Sequence, residues 1–480
     1  MRLSELLQRD LAEDPEITGV TADSRKVGPG FLFAALPGSR VDGRSFIPAA
    51  LDAGAAAVLA PEDVTGLPVP TVHAWDLRRA YALAARAFWG AQPAVCVAVT
   101  GTNGKTSVAS FCRQVFERLG RSAASMGTLG VRTGSEQLTP PGMTTPDAAD
   151  VARLLAELAG RGVTHLALEA SSHGVDQRRL DGVELTAAGF TNLTQDHLDY
   201  HGTMGAYRAA KLRLFETLLP RGRTAVLNAD SDAFQAFAAA AVTGGHTVLS
   251  VGEQGQGLRL AGRRLLPEGQ LLQVRTAGQA YEVRLPLAGA FQASNALVAA
   301  GLCIAAGEES GAVLAALEHI EGAPGRLQRV GRGPRGGEAY VDYAHTPDGL
   351  KTVLEALRPH ARGRLIVVFG AGGDRDRGKR PVMGEIAARL ADAVIVTDDN
   401  PRSEEPAAIR AAILASAPGA REIGDRREAI RAGVGMLAEG DVLMVAGKGH
   451  EQGQIVGEEV LPFDDLMETA MALGLEAAHG

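Results

Sequence analysis

The chain has 480 residues, which is enough for about three domains that each bury a core of their own. Its formal net charge is −8, so no broad cationic surface is left over to bind nucleic acid. The three cysteines have no CxxC spacing, which argues against a disulfide framework or a zinc site and fits a reducing compartment. No stretch approaches the length of a membrane-spanning helix, and the acidic N-terminus lacks the apolar core of a secretion signal. We therefore predict a cytoplasmic protein that does not bind nucleic acid and does not insert into a membrane.

Residues 1–89 form the first predicted domain. Short apolar runs alternate with Gly/Pro turns before a helix and a further strand, which is typical of a small α/β domain. The polar loop Asp23-Ser24-Arg25 belongs to this part of the chain. Taken alone, such a loop is more often a turn than a ligand-binding site.

A short apolar run ends in a glycine-containing turn at residues 95–107, VCVAVTGTNGKTS. Gly101 and Gly104 permit the backbone angles that point successive N–H groups at a phosphate. Lys105 adds a cation for the β- and γ-phosphates of a nucleotide, and Thr106 offers a hydroxyl to Mg²⁺ at the start of a helix. Val99 stands where the general P-loop pattern has its first glycine, so this is a shortened variant. The pattern favours nucleotide binding over a plain strand-to-helix corner.

Residues 90–325 form the second predicted domain. Apolar runs at 164–169, 187–193 and 224–230 alternate with helical stretches, which predicts a mostly parallel sheet with ligands at the carboxyl ends of its strands. Polar residues follow each run, among them Glu169, His173, Asn192, His197 and Asn228. The alternating sequence between 250 and 285 predicts β-hairpins, and GAFQASNALVAAGLCIA is predicted to close the domain as a helix.

Residues 326–480 form the third predicted domain, after a linker at GAPGR (322–326). Strands are predicted at 338–344, 364–370, 392–399 and 441–447, with helices between them, which again indicates a parallel α/β arrangement. The loops after these strands carry HTPDG, AGGDRDRGKR, NPRSEE and KGHEQ.

Ten motifs, in order along the chain, together resemble the Mur ligases. They are DSR (23–25), TGTNGKTS (100–107), TTP (144–146), EASSHG (169–174), FTNLTQDHLDYHG (190–202), AAK (209–211), VDYAHTPDGL (341–350), FGAGGDRDRGKRP (369–381), DNPR (399–402) and GKGHE (447–451). The resemblance implies an α/β fold of three domains: a small N-terminal α/β domain that binds UDP, a central P-loop ATPase domain with a parallel sheet, and a C-terminal Rossmann-like α/β domain that binds an amino acid.

The resemblance also implies a reaction. An ATP-dependent amide ligase of peptidoglycan precursor synthesis would phosphorylate the D-glutamate carboxylate of UDP-N-acetylmuramoyl-L-alanyl-D-glutamate. The amine of a diamino acid would then attack the acyl phosphate, giving the UDP-linked tripeptide, ADP and phosphate. The partners would be these small molecules, and the chain would act as a monomer.

Matching positions imply the roles of individual residues. Those implied to bind ATP are Gly101, Thr102, Asn103, Gly104, Lys105, Thr106, Ser107, Asn295, Arg326, Asp342 and His345. Those implied to bind the UDP substrate are Ser24, Thr144, Thr145, Ser172, Gln177 and Arg179. Those implied to bind the amino acid are Arg375, Asp399, Asn400, Arg402, Gly447 and Glu451. Met143 stands where some relatives carry an asparagine.

Two anions must meet in this reaction, so positive charge has to neutralise their repulsion. Lys105 and Mg²⁺ would supply it, with Thr106, Glu169 and His197 holding a metal that keeps several waters. Lys211, by its position alone a solvated helix lysine, matches a family lysine that CO₂ carbamylates to N6-carboxylysine, a further Mg²⁺ ligand. Lys105, Lys211 and His197 would then be the catalytic residues.

The DNPR loop, which in the related ligases accompanies meso-diaminopimelate, favours this substrate. Its second carboxylate can pair bidentately with Arg402, whereas lysine and ornithine lack such a group.

Other interpretations of the function stay open. The same ligase could use L-lysine or L-ornithine. A folylpolyglutamate-synthetase-like ligase shares the P-loop but gives no reason for residues 1–89 or for DNPR. A P-loop switch or motor would hydrolyse ATP or GTP without an acceptor amine.

Overall fold

A computed structural model describes residues 1–38, 41–134, 136–266 and 269–475 of the chain. The chain divides into two compact units, one comprising Met1–Arg259 with Leu297–Val313 and the other Leu260–Ala296 with Leu314–Gly480. The described part of the chain contains no helix that is both long and apolar enough to cross a membrane. The predicted domain limits near residues 89 and 325 stay a prediction.

The first unit begins with a small parallel sheet in the strand order β1-β2-β3-β4. Its strands are β1 (Gly19–Thr21), β2 (Phe31–Ala34), β3 (Ala57–Ala60) and β4 (Thr71–His73), and its helices are α1 (Leu3–Leu7), α2 (Ile47–Asp52) and α3 (Leu77–Trp89). Apolar side chains of the strands and of α1 and α3 form one buried cluster. The prediction of a small α/β domain here is confirmed.

A larger mixed sheet follows, and within the first unit its strands lie in the order β12-β11-β10-β5-β9-β6-β7-β8. They are β5 (Val95–Thr100), β6 (Ala123–Gly127), β7 (Gly130–Thr133), β8 (Glu136–Gln137), β9 (His165–Glu169), β10 (Ala187–Phe190), β11 (Thr224–Asn228) and β12 (Thr247–Gly252). The P-loop strand β5 runs parallel to both of its neighbours, β9 and β10. Such a strand is covered on both faces, which explains its continuous apolar sequence. The three predicted strands 164–169, 187–193 and 224–230 are confirmed.

Helices pack against this sheet and its neighbouring segments. They are α4 (Lys105–Arg118), α5 (Ala148–Gly160), α6 (Ser172–Asp176), α7 (Leu198–His201), α8 (Met204–Arg213), α9 (Phe234–Thr243), α10 (Ala290–Ala305) and α11 (Ser310–Ala316). The predicted helix GAFQASNALVAAGLCIA is confirmed as α10. The predicted hairpins are β13 (Leu258–Leu266), β14 (Gly269–Thr276) and β15 (Gln279–Leu285), and residues 267 and 268 of this segment lie outside the described residues.

The second unit also contains a sheet in the order β16-β17-β21-β18-β19-β20, in which β17, β21, β18, β19 and β20 are parallel. The strands are β16 (Gln328–Arg332), β17 (Glu338–Asp342), β18 (Leu365–Phe369), β19 (Ala393–Val396), β20 (Arg421–Glu422) and β21 (Val442–Ala446), followed by the hairpin β22 (Gly453–Val456) and β23 (Glu459–Pro462). The helices are α12 (Pro347–Leu357), α13 (Lys379–Leu390), α14 (Pro406–Leu414), α15 (Arg426–Met436) and α16 (Asp465–Leu473). The four predicted strands are confirmed, and residues 476–480 of the predicted third domain lie outside the described residues.

Candidate functional site

The P-loop is the turn between β5 and α4. Gly101 and Gly104 have φ values of 151° and 88°, in the region that favours glycine. A Cβ at Gly101 would lie 1.9 Å from the Thr191 hydroxyl oxygen, so the close approach of the loop to its neighbour also requires glycine. Helix α4 begins at Lys105 and presents its N-terminus to the loop. Val99 is the fifth residue of strand β5, which accounts for the shortened motif.

The loop after β10 supports the P-loop. The Thr191 hydroxyl donates to the Asn103 carbonyl oxygen (2.6 Å), and the Asn192 side-chain oxygen accepts from the Asn103 N–H (3.0 Å). The Thr102 hydroxyl lies 3.1 Å from the Tyr207 hydroxyl of α8. Strand-end residues and α8 together therefore fix the backbone that would receive the phosphates.

Lys211 on α8 is buried, with 1% of its surface exposed, which contradicts the expectation of a solvated lysine from its position alone. Its Nζ donates to the Gly101 carbonyl oxygen (2.8 Å), and the Nζ of Lys105 donates to the same oxygen (2.9 Å). Burial and the charge of Lys105 hold the pKa of Lys211 well below its usual range. The ring of Tyr207 lies 4.5 Å from the Lys211 ammonium nitrogen. A lysine of lowered pKa thus lies directly beside the P-loop.

Glu169, at the end of β9, is buried next to the start of α4. Its Oε2 accepts from the Thr106 hydroxyl (3.0 Å) and its Oε1 from the Thr128 N–H (2.9 Å). Gly127 leaves room for this carboxylate, since a Cβ there would lie 2.0 Å from Oε1. A hydroxyl and a carboxylate at hydrogen-bonding distance are the hard oxygen donors that Mg²⁺ prefers.

His197 has a left-handed backbone, with φ 51°, in the loop before α7. Its Nε2 lies 3.4 Å from an Asp196 carboxylate oxygen, and its ring centroid lies 4.8 Å from that of His173. Burial lowers the pKa of His197, with Lys105 and Lys211 adding to the effect, although Asp196 opposes it. A neutral imidazole is the form that can bind a metal.

The described residues contain no cluster of three or more His, Cys, Asp or Glu side chains arranged to hold a metal ion. A Mg²⁺ bound by Thr106 and Glu169 would therefore complete its coordination with waters and ligand oxygens, which is usual for Mg²⁺ at phosphates. The residues present fit this ion.

Five of the six residues predicted to bind the UDP substrate lie at or near helix α6. The Arg179 guanidinium donates to the Thr145 carbonyl oxygen (2.6 Å) and to the Gln177 side-chain oxygen (2.7 Å). The Thr144 hydroxyl is 2.9 Å from that of Thr128, and the buried Ser172 hydroxyl oxygen has no hydrogen-bond partner among the residues that the structure describes. A buried hydroxyl of this kind can bind a substrate oxygen. Ser24, the sixth residue, lies in the turn Ser24–Lys26 of the N-terminal domain.

In the second unit, the four remaining predicted ATP residues form a connected group. The Asn295 amide donates to Gln292 (3.0 Å), which in turn donates to the Arg326 carbonyl oxygen (3.2 Å). Burial raises the pKa of Asp342 to about 6, although the charge of Arg326 opposes this shift. The Nδ1 of His345 lies 2.8 Å from the Tyr343 carbonyl oxygen. Gln292, three residues before Asn295 on the same face of α10, was missed by the sequence analysis.

All six predicted amino-acid-binding residues line one cavity of about 630 Å³ in the second unit. His345, predicted at the ATP, lines the same cavity, and so does Lys379, whose Nζ donates to the His345 carbonyl oxygen (2.8 Å). The walls therefore carry cations, carboxylates and an amide, which suits a small zwitterion with further charged groups.

The DNPR and GKGHE loops form one wall of this cavity. The Asn400 amide donates to a Glu451 carboxylate oxygen (2.9 Å), and Nη1 of Arg402 donates to the Gly373 carbonyl oxygen (2.9 Å). Arg402 has a left-handed backbone with φ 52°. Gly447 has φ 125°, and a Cβ there would lie 2.4 Å from an Asp399 carboxylate oxygen. Only glycine allows the two loops to approach so closely.

Several residues that hold these sites together, chiefly Tyr207, Lys379 and Lys448, were not predicted from the sequence. Tyr207 stands four residues before Lys211, a spacing that places both on one helix face and could have indicated a shared burial. Lys379 lies in the motif FGAGGDRDRGKRP and Lys448 in GKGHE, but the sequence predicted no role for either lysine. Their contacts join segments far apart in the chain, which sequence spacing does not reveal.

A P-loop at the carboxyl edge of a parallel sheet, together with a polar cavity for an amino-acid-sized ligand in a second α/β domain, defines a nucleotide-dependent enzyme that acts on small polar substrates. Family models match most of the chain: "Mur ligase family, catalytic domain" at residues 16–89, "Mur ligase middle domain" at 99–303, and "Mur ligase, glutamate ligase domain" at 325–449. The chain belongs to the Mur ligase family and has its three-domain α/β architecture.

Two related proteins and one solved structure match this chain over nearly its whole length. It is 72% identical over 483 residues to the UDP-N-acetylmuramoyl-L-alanyl-D-glutamate–2,6-diaminopimelate ligase of Caulobacter vibrioides, covering 99% of each chain. It is 55% identical to the ligase of the same name from Bradyrhizobium diazoefficiens, covering all of both chains. A solved structure of a ligase of this name matches with a TM-score of 0.75 and 34% identity over 99% of each chain. A folylpolyglutamate synthase of Mycobacterium tuberculosis shares the fold, with a TM-score of 0.63 and 20% identity over 77% of this chain and 92% of its own.

Proposed function

We propose that the chain is the ATP-dependent ligase that joins meso-diaminopimelate to the D-glutamate of UDP-N-acetylmuramoyl-L-alanyl-D-glutamate in peptidoglycan precursor synthesis. The observation that carries the proposal is the cavity of about 630 Å³, which is lined by every residue predicted to bind the amino acid, Arg402 among them. The 72% identity to a ligase named for these substrates supports the same substrates here.

The reaction has two steps. An oxygen of the D-glutamate carboxylate attacks the γ-phosphorus of ATP, and ADP leaves with the electron pair of the broken P–O bond. The amine of diaminopimelate then attacks the carbonyl carbon of the acyl phosphate, loses a proton, and expels phosphate. Lys105 and the N-terminus of α4 hold the phosphates against the approaching carboxylate. The Asn400 amide, the Glu451 carboxylate and the Arg402 guanidinium orient the zwitterionic acceptor.

Bound Mg²⁺ supplies charge neutralisation at the phosphates, and Thr106, Glu169 and His197 are the residues that would hold it. Thr128 and Gly127 keep the Glu169 carboxylate in place for this role.

Lys211 is proposed to carry a carbamate. An uncharged lysine nitrogen can attack CO₂, forming an N–C bond and releasing one proton, and the product is an anionic carboxylate. The burial of Lys211 and its closeness to Lys105 favour the uncharged amine that this step needs. The carbamate would also place an anion next to Lys105, whose Nζ shares the Gly101 carbonyl oxygen with Lys211, and so form an ion pair there.

The test is phosphate release with Mg-ATP and the UDP-linked dipeptide, offering diaminopimelate, lysine and ornithine in separate reactions and weighing the nucleotide product. We expect release and the matching product mass with diaminopimelate. Release with lysine or ornithine instead would keep the ligase and overturn the role of Arg402. Activity with a folate and glutamate would move the protein to the folylpolyglutamate class, and acceptor-independent hydrolysis would move it to the switch class.

Three further properties stay predictions: a cytoplasmic location, a monomeric state and domain limits near residues 89 and 325. Sedimentation equilibrium tests the second, and limited proteolysis tests the third.

A further inference from the structure

Lys448 is a fully buried cation beneath the amino-acid cavity. It follows β21 in the GKGHE loop, and its side chain has no exposed surface. Its Nζ donates to the Asn400 side-chain oxygen (2.6 Å) and to the Gly453 carbonyl oxygen (2.8 Å). The nearest carboxylate oxygens are those of Asp399 (3.8 Å) and Glu451 (4.0 Å). The ammonium therefore joins the DNPR loop to the residues that directly follow Lys448 in the chain.

These contacts determine which way the Asn400 amide points. Its oxygen accepts from Lys448 and also from the Ile455 N–H (3.0 Å), while its NH₂ donates to Glu451 (2.9 Å). If the amide turned over, its NH₂ would face an ammonium and a backbone N–H, and its oxygen would face a carboxylate. All three contacts would then be repulsive, so only one orientation is compatible with the charge on Lys448.

We propose that Lys448 is a positioning residue for the amino-acid substrate: its ammonium fixes the Asn400 amide, and through that amide the Glu451 carboxylate, in the arrangement that receives the diamino acid. The inference rests on the proposed function, because it takes the cavity lined by Asn400 and Glu451 as the acceptor site. Lys448 itself does not line that cavity and acts through its two neighbours.

The variant Lys448→Met keeps the length and apolar stem of the side chain but removes both donated hydrogen bonds. The Asn400 amide then loses the partner that fixes it, and the Glu451 carboxylate loses a nearby positive charge. We expect KM for diaminopimelate to rise about 10- to 100-fold, which is the scale of losing hydrogen bonds to a charged group. KM for ATP and for the UDP-linked dipeptide should stay within about twofold. The reason is that the described hydrogen bonds and ion pairs of the Lys448 ammonium involve only the DNPR loop, the GKGHE loop and the start of β22.

Two further variants separate positioning from general structure. Lys448→Gln keeps a neutral donor and should recover part of the loss in KM. In an Asn400→Ala background, Lys448→Met should raise KM by a clearly smaller factor than in the unaltered chain, since the amide that Lys448 fixes is already gone and only its charge near Glu451 is still lost. Lys351→Met, which removes a half-exposed lysine of α12 paired with Glu355, is the matched control and should behave as the unaltered chain.

Circular dichroism first checks that each variant folds. The kinetic constants are then measured with each substrate varied in turn. If Lys448→Met does not fold, Lys448→Gln is used for the test in its place. A selective rise in KM for the diamino acid, partly restored by glutamine, supports the inference. An unchanged KM, an equal rise for all three substrates, or a fall in kcat alone overturns it. Failure of the proposed function is recognised separately, because the unaltered chain would then not join diaminopimelate to the UDP-linked dipeptide. In that case the same variants are tested with the acceptor that the unaltered chain does use.

Discussion

Arg426 and Asp465 form a buried ion pair in the third predicted domain. We predict that this pair contributes to the stability of the domain by an amount that can be measured. The Arg426 guanidinium donates to both carboxylate oxygens of Asp465 at 2.7 Å, and neither side chain has exposed surface. It also donates to the carbonyl oxygens of Asp398 (3.3 Å), in the loop after β19, and of Ala446 (2.9 Å), at the end of β21. Burial alone would lower the pKa of Arg426, but the Asp465 carboxylate raises it above its usual value.

Asp465→Asn keeps the shape of the side chain but leaves the guanidinium buried without its counter-charge. Breaking a buried pair in this way costs about 3–5 kcal/mol of unfolding free energy. The double variant Arg426→Met with Asp465→Leu removes both charges, and we expect it to lose much less stability than the single change, since apolar side chains of similar volume can replace such a pair.

Tryptophan fluorescence does not suit this measurement, because the two tryptophans, Trp75 and Trp89, lie in the first 89 residues. Hydrogen exchange of the buried strand Val442–Ala446 reports on the correct domain. The expected loss corresponds to exchange about 100- to 4,000-fold faster in Asp465→Asn. A change of less than about tenfold, or a double variant worse than the single one, would show that the charge of Asp465 does not stabilise this domain.

Three other predictions follow from the site. Lys211→Ala should slow the reaction by about 100- to 1,000-fold, as loss of an electrostatic group at the reacting phosphates does, and a short-chain carboxylate should restore part of the rate. No rescue, together with no labile carbamate in the intact mass, would contradict the carbamate. Arg402→Met should lower kcat/KM for diaminopimelate by about 100-fold and for lysine by little, so an unchanged ratio would contradict its role. Because the folded pKa of Asp342, about 6, lies above the ordinary 3.8, this group costs about 3 kcal/mol at neutral pH, and its contribution to stability falls as pH rises from 4 to 6. The denaturation midpoint of Asp342→Asn should lack that part of the pH dependence, and identical profiles for the two proteins would contradict the shift.

Local patterns were sufficient to predict the strands and the P-loop. The predicted runs contain β5, β9, β10 and β11, because buried parallel strands need continuous apolar sequence. The runs 187–193 and 224–230 extend past the ends of β10 and β11 into the loops that follow them. The residues of the amino-acid cavity were found by position within family motifs, and the structure brings them together at one edge of a sheet.

The burial of Lys211 and the pair Arg426–Asp465 could not be predicted by the same means. A lysine after two alanines on a helix is usually solvated, and only the contact with a loop 110 residues away shows that Lys211 is enclosed. Arg426 and Asp465 are 39 residues apart and lie in no common motif. Interactions of this kind depend on the tertiary arrangement, which hydrophobic periodicity does not describe.

The residue proposed to choose the substrate, Arg402, has an unusual backbone conformation. With φ 52° it occupies a region that costs most non-glycine residues about 1–3 kcal/mol, although glycine and asparagine enter it readily. Replacement by glycine or asparagine would therefore discard the guanidinium and relieve the chain at once, whereas valine or threonine would add strain to the lost charge. Backbone conformation thus favours glycine or asparagine at this position, so the proposed selection of diaminopimelate, and not backbone strain, is what would maintain the arginine.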